Sequence, residues 1–230
     1  MALDFIDLFE IVKCIKQLTS PLHVLSLGHP DILATPEAIA PLIGDRLLSI
    51  DNDRVRKERI GESREDCIGS AFGFFEALDA TLYTLDKREL FGIDKMVDLN
   101  NPISGDSGEH VDKYDLVVDP GTSEHIFNIG QVLSTIVRAT KVGGFVYHIN
   151  PMVMINHGYW NFSPVAYKDF YTVNGFDIVM IKGRDKNGLF DVPYTTKYKP
   201  GPAAKLMIVC VARKIRAMRD IIWPMQEKYV

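Results

Sequence analysis

Three acidic residues stand at the ends of apolar segments, where a carboxylate can serve a ligand-binding site. They are Asp86, Asp98 and Asp119. In a parallel sheet the carboxyl ends of the strands face one crevice, and ligands bind there. A carboxylate at such an end can accept hydrogen bonds from both hydroxyls of a ribose, which predicts a nucleotide-type site. The alternative for Asp86 is an ordinary aspartate at the end of a strand.

Two histidines and a tyrosine are the candidate catalytic residues. His125, beside Glu124, and His157 are candidate general bases, because imidazole exchanges protons near neutral pH. Tyr159 lies in the aromatic-rich segment 152–162 and is the third candidate. A lone histidine is more often structural, so this alternative stays open for both. A metal site formed by Asp119, Glu124, His125 and His157 is conceivable, but it is not predicted, because their spacing matches no strong ligand pattern.

A strand–helix–strand unit at residues 113–152 must position these side chains. The apolar run 114–119 is typical of a buried parallel strand, and Pro120–Thr122 turns the chain. A helix with one apolar stripe follows, and Gly143-Gly144 is expected to end it before a strand at 145–150. Such a unit needs helices on both faces of a sheet. The fold class predicted is therefore α/β, with a doubly wound, mostly parallel sheet.

The same patterns predict elements on either side of this unit. An amphipathic helix is expected at about 3–19. Further helices are predicted after Thr35, at 68–78 and after Ser163. Further strands are predicted at 23–27, 80–86, 96–100, 177–181 and 205–212, with a long loop at 182–204. The densely charged segment 51–66 is typical of a solvated loop or exposed helix, with a flap over a ligand as the alternative.

Composition limits the class of protein. With 230 residues, 47% of them hydrophobic, the chain suits one α/β domain over 1–230. A net charge of −4 argues against nucleic acid or an anionic membrane as the main partner. No apolar run reaches the roughly 20 residues that span a bilayer, and the acidic N-terminus is unlike a signal peptide. The 3 cysteines form no Cys-x-x-Cys pair, so a reduced, cytoplasmic protein is expected.

Two motifs resemble those of class I S-adenosylmethionine (SAM) dependent methyltransferases. Residues Asp115–His125, reading Asp-Leu-Val-Val-Asp-Pro-Gly-Thr-Ser-Glu-His, are similar to the fourth-strand motif of that family. Lys141–Gly144 resembles its Lys-Pro-Gly-Gly turn, with Val142 in place of the proline. The resemblance extends over about residues 23–183. It implies a Rossmann-like sheet of seven strands in the order 3-2-1-4-5-7-6, with strand seven antiparallel.

The resemblance also implies a site for SAM. Only Gly28 remains of the family's glycine-rich loop, and it would lie near the methionine portion. Asp86 would hold the ribose, and Asp98 with Leu99 the adenine. The implied cofactor-binding set is Gly28, His29, Asp86, Asp98, Leu99, Asp119 and Gly121. His125 stands where members of the family often place a histidine.

Two functions remain in view. The first is a SAM-dependent methyltransferase acting on a small molecule or a sugar, with the acceptor between the helix from Thr122 and the loop 152–162. A further resemblance, to methyltransferase-like proteins of surface-polysaccharide synthesis, suggests the sugar. The second is a catalytically inactive, methyltransferase-like binding or scaffold protein. The missing glycines after Gly28 favour the second, and the retained acids favour the first.

Other functions are less favoured by the motifs. Gly-x-Gly-x-x-Gly is absent, which argues against a nicotinamide cofactor. A DNA-adenine methyltransferase would need Asp-Pro-Pro-Tyr, whereas this chain has Asp-Pro-Gly-Thr at 119–122. The basic segment 213–219 predicts a solvated face. Contact within a homo-oligomer or with an anionic partner is the alternative.

Overall fold

The computed structural model describes residues 2–44, 71–87, 95–103, 110–192, 205–226 and 229. The charged segment 51–66 lies outside these residues. The strands are β1 (Ala2–Asp4), β2 (Leu22–Leu27), β3 (Asp31–Leu33), β4 (Ala80–Asp86), β5 (Lys95–Met96), β6 (Tyr114–Asp119), β7 (Thr140–Val153), β8 (Phe176–Asp185), β9 (Gly188–Phe190) and β10 (Leu206–Lys214). The helices are α1 (Phe5–Ile15), α2 (Pro36–Ile43), α3 (Ala71–Glu76), α4 (Ile129–Ala139) and α5 (Pro164–Val173), with a 3₁₀ turn at Ser123–His125.

The main sheet has eight strands in the order β5-β4-β2-β6-β7-β10-β8-β9. The first five strands in this order, β5, β4, β2, β6 and β7, are parallel to one another. The last three pair antiparallel with their neighbours: β10 with β7 and β8, and β8 with β9. The seven predicted strands lie in the predicted order 3-2-1-4-5-7-6, with the last strand antiparallel. The predicted number of strands was wrong, because β9 adds an eighth at the edge.

Strand β9 forms because the chain turns back within the predicted loop 182–204. Gly188 has a φ of +122°, a conformation that glycine adopts without strain. The Asp185 carboxylate accepts a hydrogen bond of 2.7 Å from the backbone N–H of Asn187. These features make a tight hairpin that pairs Gly183 with Phe190. A small second sheet was also not predicted, and in it β1 pairs parallel with β3.

Helices cover both faces of the main sheet and create two hydrophobic cores. The first core joins α1, α2 and α3 to the sheet, with Leu8, Ile39 and Phe74 fully buried. The second joins α4 and α5 to the opposite face, with Ile136 and Tyr171 fully buried. This three-layer arrangement confirms the α/β class and leaves the strand ends at the edge of the sheet open for a ligand. In the part of the chain that the structure describes, no helix is long and apolar enough to cross a membrane.

Helix α1 is shorter than the predicted 3–19. The Asp4 side chain caps its start by accepting from the backbone N–H of Ile6 at 2.9 Å. Beyond Ile15 the chain tightens into turns in which the N–H groups of Gln17 and Leu18 bond to carbonyls three residues back. The amphipathic pattern was therefore correct, and the helical range was too long at both ends.

Two further boundaries differ from the prediction around the central unit. A helix was expected from Thr122 to the glycine pair, but the chain forms the short 3₁₀ turn first and begins α4 at Ile129. Asn128 caps this start by accepting from Gln131 N–H at 3.2 Å. Gly143-Gly144 does not end the helix, because β7 already begins at Thr140. A Cβ on Gly144 would lie 2.8 Å from the Asp115 carbonyl oxygen, so glycine is required by the close contact between β7 and β6.

Candidate functional site

A cleft of about 510 Å³ opens at the carboxyl ends of the parallel strands. Its lining residues are Leu85, Asp86, Lys87, Val97, Asp98, Leu99, Asn100, Thr122, His125, Ile126, Phe127 and Tyr159. Five residues predicted from the sequence thus meet there: Asp86, Asp98, Leu99, His125 and Tyr159. The other predicted residues are not among those lining the cleft: Gly28, His29, Asp119, Gly121 and His157.

Asp98 is fixed at the wall of the cleft. Its carboxylate accepts a 2.9 Å hydrogen bond from Lys87 Nζ and a 3.0 Å bond from the backbone N–H of Asn100. The Lys87 ammonium and the Asn100 donors lower the pKa of Asp98 to about 2. Asp98 is therefore ionised throughout the neutral range, and both of its oxygens act as hydrogen-bond acceptors. The predicted strand 96–100 stops at Met96 because Asp98 turns the chain.

The loop after β2 lies beside the cleft and is closed by polar contacts. Gly28 has a φ of +77°, and its N–H donates to the Leu85 carbonyl oxygen at 2.6 Å. The Thr122 hydroxyl donates to the carbonyl oxygen of Leu27. His29 is buried, with its ring centroid 5.3 Å from that of Phe72. Gly28 is thus held next to the cleft, whereas the His29 side chain points into the protein.

Asp119 organises the chain below the cleft. Its fully buried carboxylate accepts hydrogen bonds from Thr122 N–H at 3.0 Å and from the Ser123 hydroxyl at 2.5 Å. Burial alone would raise its pKa, but His148 Nδ1 at 2.9 Å and the donors of Ser123 and Thr122 outweigh burial and lower the pKa. Asp119 therefore fixes the turn that leads to His125.

A buried polar network behind Asp119 was not found from the sequence. His148 Nε2 lies 2.6 Å from the Tyr171 hydroxyl oxygen. Because the ionised Asp119 only accepts, His148 Nδ1 carries a hydrogen and donates it to Asp119. Asn150 donates to Asp119 at 3.0 Å and accepts from the Tyr167 hydroxyl at 2.5 Å. The signal in the sequence was two polar residues at alternate positions of an otherwise apolar strand.

Glu124, His125 and His157 form a cluster beside the cleft, which His125 lines, and we call it the Glu–His–His cluster. Glu124 Oε1 lies 3.8 Å from His125 Nε2 and 3.6 Å from His157 Nε2. Glu124 is only 1% exposed, and its Oε1 atom has no hydrogen-bond partner. Burial and the nearby Asp119 charge raise the pKa of Glu124 to about 7. Burial, with His157 nearby, lowers the pKa of His125.

The loop 154–162 is attached to Glu124 through its backbone. The N–H of Tyr159 donates to the Glu124 carbonyl oxygen at 2.8 Å. A Cβ at Gly158 would lie 2.8 Å from that same oxygen, so only glycine permits this approach. The Trp160 indole N–H donates to the Ile126 carbonyl oxygen at 3.0 Å. These contacts hold His157 against a residue that is distant in sequence.

Two exposed aromatic rings form one wall of the cleft. Tyr159 is 66% exposed and Phe127 is 69% exposed, and the rings meet edge to face with centroids 5.6 Å apart. Phe127 was not identified from the sequence. By contrast Phe162, an aromatic residue of the same loop, is buried and stacks on Tyr167 at 5.2 Å. The ligand-facing aromatic surface is therefore smaller than the loop composition suggested.

Comparison with solved structures shows which fold this is. The 1,6-didemethyltoxoflavin-N1-methyltransferase of Burkholderia thailandensis, bound to 1,6-didemethyltoxoflavin and S-adenosylhomocysteine, is similar with a TM-score of 0.50 and 14% identity, over 91% of this chain and 78% of that chain. TehB from Haemophilus influenzae has a TM-score of 0.43 and 14% identity, over 90% of this chain and 61% of that chain. A SAM-dependent methyltransferase from Aquifex aeolicus has a TM-score of 0.44 and 10% identity, over 90% of each chain.

The chain therefore has a methyltransferase-like α/β fold. It spans less than two thirds of the length of TehB. No protein-family model matches the sequence, and no curated protein matches it.

Proposed function

We propose that this protein is a SAM-dependent methyltransferase whose acceptor is a small molecule or a sugar. The observation that carries the proposal is the cleft, which brings Asp86 and Asp98 from the strand ends together with His125. The similar toxoflavin methyltransferase holds S-adenosylhomocysteine, the demethylated product of SAM. Comparison with solved structures gives no support to a surface-polysaccharide acceptor in particular.

The residues of the cleft suit the parts of SAM. The Asp86 carboxylate would accept from the two ribose hydroxyls, and Asp98 would accept from the adenine amino group. The backbone N–H of Leu99 would donate to the adenine ring, and Gly28, beside the cleft, would lie near the methionine portion. SAM supplies an electrophilic methyl group when bound.

The acceptor would lie between the Glu–His–His cluster and the exposed ring of Tyr159. Tyr159 and Phe127 offer flat apolar faces on which a sugar or an aromatic ring can stack. His125 or His157 would take the proton that the acceptor loses, since both side chains are half-exposed. The remaining contribution to catalysis would come from positioning the acceptor in line with the methyl group.

The decisive experiment is calorimetric titration of SAM into the wild-type protein and into Asp86→Ala. The wild type should bind SAM. The variant should bind more weakly by roughly 1.5–3 kcal/mol, about 10- to 150-fold, because it loses charge-assisted hydrogen bonds to the ribose. Asp177→Ala, an exposed acid at the start of β8, is the matched control and should bind like the wild type. Equal binding by Asp86→Ala would refute the ribose assignment.

A binding or scaffold protein without catalysis is the second candidate function. It is favoured by the loop after β2, where His29 and Pro30 are buried and no glycine follows Gly28. The same titration separates the two functions. A wild-type protein without measurable affinity for SAM would leave the scaffold function as the conclusion.

A further inference from the structure

The Glu–His–His cluster contains a buried acceptor without a partner. A buried carboxylate oxygen that lacks a hydrogen bond costs free energy, so such atoms are rare and call for an explanation. The Nε2 atoms of His125 and His157 lie 3.8 Å and 3.6 Å from Glu124 Oε1, which is beyond hydrogen-bonding distance. A cation placed among the three atoms would satisfy all of them at once.

We propose that Glu124, His125 and His157 bind a divalent transition-metal ion such as Zn²⁺. This inference rests on the proposed methyltransferase function for its chemistry but not for its test. Imidazole nitrogen favours Zn²⁺ and similar ions over Mg²⁺ and Ca²⁺, which prefer oxygen ligands. Two histidines and one glutamate form a ligand set used by catalytic zinc, with further positions open.

The distances are close to those that a metal ion imposes. One ligand atom from each residue lies within 4.8 Å of the other two. Around a tetrahedral ion with bonds of about 2.0–2.1 Å, ligand atoms lie about 3.3–3.5 Å apart. The side chains of His125 and His157 are 47% and 41% exposed, so small rotations can bring their nitrogens closer.

The surroundings already hold the buried ligand in place. The other oxygen of Glu124, Oε2, accepts from Asn150 Nδ2 at 2.9 Å. Asn150 is fixed in turn by Asp119 and Tyr167. Such contacts around a ligand orient it and increase metal affinity. Gly158 allows the backbone contact that places His157 beside Glu124. Glu124 and His157, which are far apart in sequence, are therefore close together before an ion binds.

An ion at this point would act on the methyl acceptor. An acceptor hydroxyl oxygen that occupies an open position of the ion loses its proton more readily, and the proton leaves to water at the exposed mouth. The new C–O bond forms as the methyl C–S bond of SAM breaks, and the C–S electron pair stays on sulfur. The substrate class is therefore an acceptor with a hydroxyl group. In this mechanism His125 and His157 are ligands and not the base.

Zn²⁺ binding to the full chain tests the site after exhaustive dialysis against a chelator. Equilibrium dialysis should show that the wild type binds one equivalent of Zn²⁺. His157→Ala and Glu124→Gln should bind Zn²⁺ at least about 100-fold more weakly, because replacing even a residue that only contacts a metal ligand lowers metal affinity 10- to 100-fold. His23→Gln is the control and should bind like the wild type, because His23 is the second residue of β2 and lies at the amino end of that strand, whereas the cleft lies at the carboxyl ends. Glu124→Gln retains an oxygen that can accept from Asn150 Nδ2, so this variant should keep the fold.

Two results would overturn the proposal: a wild type that binds no Zn²⁺, or variants that bind it as tightly as the wild type. SAM titrations of the same metal-free proteins keep the two proposals apart. SAM binding without Zn²⁺ binding refutes the metal site only, whereas Zn²⁺ binding without SAM binding refutes the proposed methyltransferase function only.

Discussion

Single buried residues connect the sequence motifs to the mouth of the cleft. Asn150 is the central one, because its amide donates both to Asp119, which fixes the turn, and to Glu124, which belongs to the cluster. The side-chain amide oxygen of Asn150, Oδ1, accepts a hydrogen bond from the Tyr167 hydroxyl on α5. The buried amide therefore sets the position of Glu124 relative to the sheet.

Replacing Tyr167 with Phe should destabilise the protein by about 1–3 kcal/mol. The substitution removes the hydroxyl and leaves the buried Oδ1 atom of Asn150 without a donor. An unsatisfied buried acceptor costs more free energy than an average hydrogen bond contributes. The free energy of unfolding in urea measures the effect. Tyr159→Phe is the matched control, and because Tyr159 is exposed its change should stay within about 0.5 kcal/mol. Equal stability of the two variants would argue against the network.

At the scale of elements, α1 is attached to the sheet by a buried ion pair. Asp7 of α1 is 1% exposed and accepts from Arg184 Nη1 of β8 and from the Tyr147 hydroxyl of β7, each at 2.6 Å. Burial raises the pKa of Asp7, and the Arg184 charge opposes this. The start of the helix therefore depends on a partner from a distant strand.

Arg184→Ala should cost about 3–5 kcal/mol of unfolding free energy, because it leaves the Asp7 carboxylate buried and unpaired. Lys182→Ala, two residues away on β8, is the control. Its partner Asp191 has a side chain that is 90% exposed, so loss of this pair should cost less than about 1 kcal/mol. Denaturant unfolding of both variants gives the comparison. A similar, small loss in both would contradict a structural role for the buried pair.

At the scale of the whole molecule, each of the two hydrophobic cores contains one buried cysteine. Cys14 lies in the core under α1, and Cys210 lies in the core on the opposite face of the sheet. Burial, with Glu10 nearby, raises the pKa of Cys14 to about 12. Burial raises the pKa of Cys210 well above its usual value. Both thiols are therefore protonated and covered at neutral pH.

In a Cys67→Ser background, neither remaining thiol should react with a thiolate-specific reagent at pH 8 while the protein is folded. With a pKa near 12, only about one Cys14 in 10⁴ is a thiolate at that pH. Both should react together when denaturant unfolds the chain, because the two cores share one sheet. Ellman's reagent measures the rates, and unfolded protein is the control. Reaction of one thiol well before the other would show that the cores open separately.

Much of the fold was determined by the sequence, because apolar runs and their flanking turns are local signals. The strands containing residues 22–27, 80–86 and 114–119 were predicted within one residue. The cap at Thr35 was also confirmed, since its hydroxyl accepts from Ala38 N–H at 3.2 Å. The acids Asp86 and Asp98 meet in one cleft for the same reason, because parallel strands end at the same edge of a sheet.

Tertiary structure alone decided the rest. Gly143-Gly144 has the composition of a helix end, but the close approach of β6 makes it part of a strand. The turn into β9 has a local signal in Asn187-Gly188, but the strand Gly188–Phe190 is too short to show one and depends on pairing with β8. The Glu–His–His cluster joins Glu124 and His125, which precede α4, to His157, which follows β7. Its spacing along the chain fits no metal motif, and only the backbone contact of the 154–162 loop with Glu124 brings His157 to the other two.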